Sequence, residues 1–406
     1  MDRTRFIVAG SLIDGTGAGV RRNAVLIVED GIITAVGGRE NLPRDPGAPV
    51  DDLSPCTIVP ALVDGSVFLG RSPAIDPKMR GLPEEASREQ RLALRARHLR
   101  YCHDHGVLGV VDGDDPFGLA RHRADGTMPG GPVALRTAGP LCRSWDEAAG
   151  GSSDRDFLRI GYSPDINAAE ATQPRMSREE LRRIVQHGPD CKKIVVANGR
   201  EAVAEALAAG CDAIEQGFGM GEDNLRTMAA RQVLWLPGVV RAKNGLDGSA
   251  SGGEVCCRFS LRFAAPGQAN PGAEAFWKAT LAGQLAQLRL ARALGVPTAV
   301  GTGAGSPGIL HGESVVEEIK LFIKAGFPLA EAIAGASAVG AGFFGMEALG
   351  PLTVGRRATF LVTRGTPQQL PRKLGYLENI YIDGAPSRAY RKDPVKAAGQ
   401  GAQSSF

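Results

Sequence analysis

The chain has 406 residues, 43% of them hydrophobic and 22% charged, the balance of a globular protein long enough for one large barrel plus a smaller domain. A formal net charge of +3, from 47 basic and 44 acidic side chains, supplies no basic field for nucleic acid or an anionic membrane surface. No stretch approaches the roughly 18 apolar residues of a membrane helix, which excludes that class.

The N-terminal apolar run is too short for a signal peptide. The seven cysteines are odd in number and scattered, there is no C-x-x-C, and the adjacent Cys256 and Cys257 make no zinc clamp. A cytoplasmic, reducing setting with free and mostly buried thiols is therefore expected.

Residues 1 to about 57 alternate apolar and polar positions between turn signals. The spacing predicts strands at 5–13, 24–28 and 32–36, the last two joined across Glu29-Asp30-Gly31. So few strands bury little by themselves and need partners from elsewhere in the chain. From Ile58 the pattern changes to short apolar strands alternating with helices, which marks parallel β/α units. Strands are expected at 58–63, 107–112, 133–138, 157–161, 193–197, 212–216, 233–240 and 297–301. Ser87 with Gln90, and Ser177 with Glu180, have capping-box spacing and should open helices ending near His105 and His187. Further helices are expected at 201–209, 222–230, 273–294, 313–325 and 329–344, with Leu281, Leu285 and Leu288 on one face of the longest. β patterning returns at 358–362 and 379–383, and these strands should pair with the N-terminal ones. The predicted fold class is α/β: a distorted (β/α)8 TIM barrel over 59–348 and a small composite β-sandwich domain from 1–58 plus 349–391. Residues 392–406 form an expected mobile tail.

Several motifs carry a resemblance. The stretch I-V-P-A-L-V-D-G-S-V-F-L-G at 58–70 resembles the first barrel strand of the metal-dependent amidohydrolases, usually P-G-x-I-D-x-H-x-H. D-G-T-G at Asp14, V-E-D-G-I-I-T-A-V-G at Val28, A-A-G-C-D-A-I-E-Q-G at Ala208, G-T-G-A-G at Gly301 and L-G-P-L-T-V-G-R-R-A at Leu349 follow in the order of that superfamily. The layout is similar to its imidazolonepropionase and aryldialkylphosphatase-like branch over nearly the whole chain.

That resemblance implies a divalent-metal hydrolase acting on C–N bonds other than peptide bonds, with zinc or a similar ion as cofactor. Each position it assigns to a metal ligand has changed. The two first-strand histidines read Ser66 and Phe68, and the bridging lysine corresponds to Arg159. The fifth-strand histidine position holds Val196, with Asn198 two residues on. The sixth-strand I-E-H-G reads I-E-Q-G, with Gln216, and the final aspartate of G-T-D-A-G is Gly303. Phe68, Val196 and Gly303 have no side-chain donor, Arg159 is a fixed cation, and Ser66 and Gln216 are weak neutral ligands.

The expectation is a homologue without metal-dependent hydrolysis and with no cofactor of its own, serving a binding, scaffolding or regulatory role, with a homo-oligomer admitted. Two readings of the altered mouth follow. In one, Arg159 binds a small anionic ligand, with Ser66, Asn198 and Gln216 as hydrogen-bond partners. In the other, Arg159 pairs internally with an acid such as Asp112 or Glu215 and closes the cavity. The rival function is an active hydrolase of a cyclic amide or related C–N bond with a relocated metal site, for which Asp114, Asp115 and His311 are the catalytic candidates. D-G-D-D at 112–115 also reads as an ordinary turn, and His311 as a structural hydrogen-bonding residue. His103 and His105 are expected at the surface or as helix caps, and His98, His122 and His187 in no constellation.

Overall fold

Both ends of the chain build one sheet. In a computed structural model that describes residues 4–41, 43, 47–74, 85–120, 132–150, 155–164, 166, 176–249 and 272–392, the N-terminal strands are β1 (Thr4–Leu12), β2 (Arg21–Glu29), β3 (Ile32–Gly37) and β4 (Val50–Pro60). The C-terminal strands β12 (Phe360–Arg364), β13 (Leu377–Ile382) and β14 (Ala385–Pro386) join them in the order β14-β13-β12-β4-β1-β2-β3. The seam is the antiparallel pairing of β12 with β4, Phe360 opposite Pro60 and Val362 opposite Ile58. Ile7, Leu26, Ile58 and Phe360 bury one apolar layer, in which Phe360 stacks on Tyr381 with ring centroids 4.6 Å apart.

The strand expected at 58–63 is two strands. β4 ends at Pro60, and β5 (Leu62–Val67) begins the barrel one residue later. Proline has no N–H to continue the ladder, so the chain leaves one sheet and enters the other at Ala61. Six more barrel strands follow: β6 (Val107–Asp112), β7 (Ala134–Thr137), β8 (Phe157–Gly161), β9 (Lys192–Ala197), β10 (Ala213–Gln216) and β11 (Leu234–Leu236). They form the runs β5-β6-β7 and β8-β9-β10-β11, all parallel. Single bridges close the ring: Cys142 to Ile160, Trp235 to Thr298, and Val67 to Ala304.

The eighth barrel position is an extended segment rather than a regular strand. Trp235 N–H donates to Pro297 O at 2.9 Å, and Gly65 N–H donates to Val300 O at 2.8 Å. This is the distortion in the (β/α)8 barrel.

The Arg88–Asp104 helix starts at the predicted Ser87–Gln90 capping box, in which Gln90 N–H donates to Ser87 Oγ at 3.2 Å and Ser87 N–H to Gln90 Oε1 at 2.8 Å. Ser177 caps Arg178–His187 through Glu180 N–H. The Ala273–Leu294 helix has the expected bounds, with Leu281 and Leu288 buried and Leu285 packed beside them. The Leu329–Phe344 stretch divides into Leu329–Gly335 and Ala338–Phe343.

The clearest departure is at 233–240. The strand stops at Leu236, and a helix, Val239–Ser249, begins after Pro237-Gly238. Gly238 has φ +53°, and the buried Glu318 carboxylate accepts Val239 N–H at 2.8 Å and Val240 N–H at 2.6 Å. Those bonds satisfy N–H groups that a helix start leaves unpaired.

The residues beyond Lys392, Cys256, Cys257 and His122 lie outside the described residues. The five described cysteines are free thiols, four of them buried. Among the described residues no helix is long and apolar enough to cross a membrane.

Candidate functional site

The C-terminal ends of parallel barrel strands converge on one mouth, where such barrels place their chemistry. Here the polar side chains at the mouth are already engaged with one another. Ser66, in β5, donates from Oγ to Glu215 Oε1 at 2.8 Å. Arg159, in β8, grips the Glu215 carboxylate with two hydrogen bonds, Nε to Oε2 at 2.6 Å and Nη2 to Oε1 at 2.9 Å. Arg159 is 5% exposed and Glu215 3%. This bidentate fork is the internal pairing that the sequence admits, with Glu215 rather than Asp112 as partner.

A second arginine completes the centre, and sequence reasoning did not find it. Arg241 lies in the helix that replaces the end of the expected seventh strand. Its Nη2 is 3.7 Å from Glu215 Oε1, and it is 1% exposed. A Cβ built on Gly303 would overlap this guanidinium. Gly303, with φ +72°, is the position that the resemblance assigns to a ligating aspartate, so the space beside it is filled by a cation on a neighbouring element. Gly303 N–H in turn donates to Ser66 O at 2.8 Å.

Phe68 lies among three guanidiniums, with Arg71 at 4.7 Å, Arg159 at 5.1 Å and Arg241 at 5.7 Å from its ring centroid. Val196 is buried in β9, and its carbonyl accepts Tyr162 N–H and Ser163 N–H, both at 3.1 Å. Asn198 donates from Nδ2 to Gln216 Oε1 at 2.7 Å and accepts Phe218 N–H at 3.0 Å. Gln216 is fully buried and has φ +74°, a left-handed conformation uncommon for a residue with a Cβ. Its carbonyl accepts Trp235 Nε1–H at 3.0 Å and Gln284 Nε2–H at 2.8 Å.

Burial and charge set the ionisation of this centre. Glu215 is pushed up by burial, but the Arg159 charge and hydrogen bonds, with Arg241 and Ser66, outweigh that and hold it below the usual carboxylate range. Asp64, in the same strand as Ser66, is raised to about 6 by burial, against bonds from Thr302 Oγ1–H at 2.5 Å and Thr302 N–H at 2.8 Å. Glu318 is raised by burial to about 8 despite its two backbone donors. At neutral pH the centre therefore holds two guanidiniums against ionised Glu215 and Asp64, with Glu318 mostly protonated.

The other candidates are also placed. Asp115 Oδ1 is 3.3 Å from Arg95 Nη1, Asp112 Oδ2 accepts Arg95 Nη2–H at 2.6 Å, and Asp114 pairs with Arg71. The 112–115 acids are thus an arginine-bound turn. His311 is buried, donates from Nε2 to Phe68 O at 3.2 Å, and stacks on His98 with ring centroids 3.9 Å apart. His98 donates from Nδ1 to Leu69 O at 2.8 Å, so it does belong to a constellation, one that holds the chain after β5. Burial pushes His98 down to about 4, and burial with the neighbouring imidazole takes His311 well below its ordinary range. Both stay neutral and serve as clamps. Of His103 and His105, expected at the surface or as helix caps, His105 is the C-cap of the Arg88–Asp104 helix and donates from Nδ1 to Tyr101 O at 2.7 Å; both are buried rather than at the surface, with His103 Nδ1 2.9 Å from Asp104 Oδ1. Their helix packs its C-terminal turn inward, which the i, i+2 spacing did not reveal.

A barrel of parallel strands with a composite sheet from both chain ends is the architecture of the amidohydrolase-type hydrolases. Residues 164–391, more than half of the chain, match the model of the amidohydrolase family, and the chain belongs to that family. It is similar in fold to a Xaa-Pro dipeptidase whose structure holds methionine in its active site (TM-score 0.75, 20% identity, 95% of this chain and 99% of that one). It is also similar to an ochratoxinase from A. niger (0.73, 17%, 95% of each) and a putative prolidase from Bifidobacterium longum (0.71, 20%, 99% of each). Among curated proteins, none matches the chain by sequence.

Zinc, the ion the family resemblance implies, does not fit the residues present. Glu215 has both oxygens committed to Arg159 and Ser66, and two buried guanidiniums occupy the centre. Among the described residues no three His, Cys, Asp or Glu side chains are grouped to hold a metal.

Proposed function

We propose that this member of the amidohydrolase family does not carry out metal-dependent C–N hydrolysis and serves instead a binding, scaffolding or regulatory role. The observation that carries this reading is the Arg159–Glu215–Arg241 network at the barrel mouth. Metal-assisted hydrolysis needs a Lewis acid that lowers the pKa of water from roughly 15.7 to about 7, held by anionic or imidazole ligands with an open position. Two guanidiniums repel such an ion, and the one carboxylate between them is neutralised in place. The relocated site of the rival reading would need Asp112, Asp114 and Asp115, but Arg95 and Arg71 already hold these acids.

Elemental analysis of protein purified without a metal-affinity tag tests the reading. Zinc, manganese, iron, nickel and magnesium should each be well below one equivalent, and addition of zinc should produce no cleavage of N-acyl amino acids or cyclic amides. One equivalent of tightly held metal, or zinc-stimulated turnover, would sink it.

A further inference from the structure

Where the composite sheet meets the barrel lies a cavity of about 180 Å³. The Arg88–Asp104 helix ends at its wall, just before β6 begins at Val107, so the cavity sits at the N-terminal ends of the barrel strands, away from the mouth. Asp104 and His105 line it from that helix, Arg364 and Glu378 from β12 and β13, and Lys373 from the 3-10 turn Arg372–Gly375 between those strands. The backbone of each wall is fixed. Arg364 pairs with Cys56 in the β12–β4 ladder, Leu374 is fully buried beneath the turn, and Lys373 O accepts Tyr376 N–H at 3.0 Å. Tyr390, also in the wall, donates from Oη to Leu377 O at 2.7 Å.

The charges around this cavity do not balance. Asp104 Oδ2 accepts Arg391 Nη2–H at 2.6 Å and Arg100 Nε–H at 3.1 Å, and Glu378 Oε2 accepts Lys392 Nζ–H at 3.0 Å. The acid behind the wall, Glu313, has an oxygen 3.3 Å from His105 Nε2. Against these three carboxylates stand five cations: Arg100, Arg364, Lys373, Arg391 and Lys392. Asp52 acts with Arg364 and Glu378 on the Cys56 thiol, which burial keeps protonated, and Asp52 has Arg39 as its own cation. Among the described residues, Arg364 and Lys373 have neither a side-chain hydrogen bond nor an ion pair, and both line the cavity. The excess is therefore two positive charges, one a planar fork of N–H donors and the other a compact ammonium. The size sets an upper limit, since 180 Å³ falls below the roughly 300 Å³ at which sites for drug-sized ligands begin.

We infer that this cavity is a binding site for a small dianionic oxyanion, a dicarboxylate or a phosphate, held between Arg364 and Lys373. Such an ion supplies the charge that the described acids do not, and its oxygens accept from both side chains. It ties the β12 edge of the composite sheet to the 372–375 turn beside the end of the barrel helix, which makes it a brace between the two parts of the fold. No residue of the cavity belongs to the Arg159–Glu215–Arg241 network, so the inference stands apart from the reading of the mouth.

Calorimetric titration of the full chain with succinate and with inorganic phosphate, at pH 8 and constant ionic strength, tests it without any variant. At least one dianion should bind saturably, and the monoanion acetate about tenfold more weakly or worse. The two arms separate carboxylate from phosphate chemistry. Arg364→Gln and Lys373→Gln should each weaken the dianion about tenfold or more, with the fold checked by circular dichroism. Arg372→Gln, at an exposed neighbour outside the cavity wall, should leave the affinity unchanged. The bound dianion should also raise Tm, by an amount that grows with its concentration as the measured affinity requires. Absence of saturable heat for both dianions, acetate binding as tightly, or indifference to either cavity substitution would each overturn the site. An equal loss in Arg372→Gln would overturn it too, because the affinity would then come from a diffuse surface field.

Discussion

Replacing Glu215 by glutamine changes one oxygen to nitrogen and removes a carboxylate that meets both central arginines. The shape is retained, so any loss reports charge. Arg159 and Arg241 would remain, 5% and 1% exposed, without their common counter-ion. The glutamine NH2 would also face an arginine N–H, donor against donor, in place of the bidentate fork. Removing one partner of a buried ion pair costs about 3–5 kcal/mol, because the stranded charge cannot recover its hydration. The Glu215 oxygens meet Arg159, Arg241 and Ser66 in a buried site, and Asp64, within the reach of the Arg241 charge, places the loss toward the lower end of that range.

For a chain of this length 1 kcal/mol is worth a little more than about 1 °C, so thermal unfolding followed by circular dichroism should show Tm lowered by about 4–6 °C. Glu222→Gln is the control. Glu222 pairs with Arg226 on an exposed helix face, where such pairs contribute about 0–1 kcal/mol. High salt should abolish the small control effect and leave the Glu215 effect in place. A Glu215→Gln loss of less than about 1 kcal/mol would refute the reasoning, because it would mean that water reaches the pair and the mouth is open.

Gly303→Ala should lower stability by at least the roughly 1–2 kcal/mol of left-handed strain, and by more because the new Cβ displaces the Arg241 guanidinium; equilibrium urea unfolding measures it. Glu318 makes stability depend on pH. Its folded pKa of about 8 lies above the ordinary value of 4.5, so the folded state holds the proton longer and this group's contribution falls as pH rises from about 4.5 through 8. Tm of the native chain should thus decline between pH 6 and pH 9, and the decline should be smaller in Glu318→Gln. Ser87→Ala should cost about 1 kcal/mol through loss of the capping box at the Arg88–Asp104 helix, read as a shift in urea midpoint at constant slope.

Much of the fold was legible because it is local. Strands β6 and β8 and the 273–294 helix have the bounds that periodicity sets, and Ser87 with Gln90 marked a true helix start. The strand at 58–63 was misjudged because an apolar run does not say which sheet it belongs to. Pro60 was the available signal. The helix at Val239–Ser249 was hidden by another continuous apolar run, L-W-L-P-G-V-V, in which Pro237-Gly238 is a break and Gly238 takes a positive φ. Missing that break meant missing Arg241. At the site the sequence leaves Asp112 and Glu215 as alternative partners for Arg159, and the fold selects Glu215. Arg241, the His98–His311 stack and the Glu318 cap join residues far apart in sequence, and no single-chain periodicity carries such contacts.

The arginines also compensate the acids gathered at this mouth. Parallel strands that carry Asp64, Asp112 and Glu215 gather acids in a buried space, where an ionised carboxylate needs a compensating charge or strong donors. In a metal hydrolase the ion supplies that charge. Here Arg95 meets Asp112, Arg159 and Arg241 meet Glu215, and Thr302 supplies two donors to Asp64 within the reach of the Arg241 charge. Each guanidinium is a cation tethered to the chain, so these acids have a counter-charge built into the fold. Restoring histidines at Ser66 and Phe68 alone should therefore not restore zinc binding. Arg159 and Arg241 would still occupy the centre, and Glu215 would still prefer a hydrogen-bonded cation already in place. Adding Gly303→Asp and removing both arginines in the same chain is the least change that would open the seat, with zinc equilibrium dialysis as the measure. Tight zinc binding by the two histidines alone would show that the arginine network yields to a metal, and that the centre is a weaker barrier than its burial indicates.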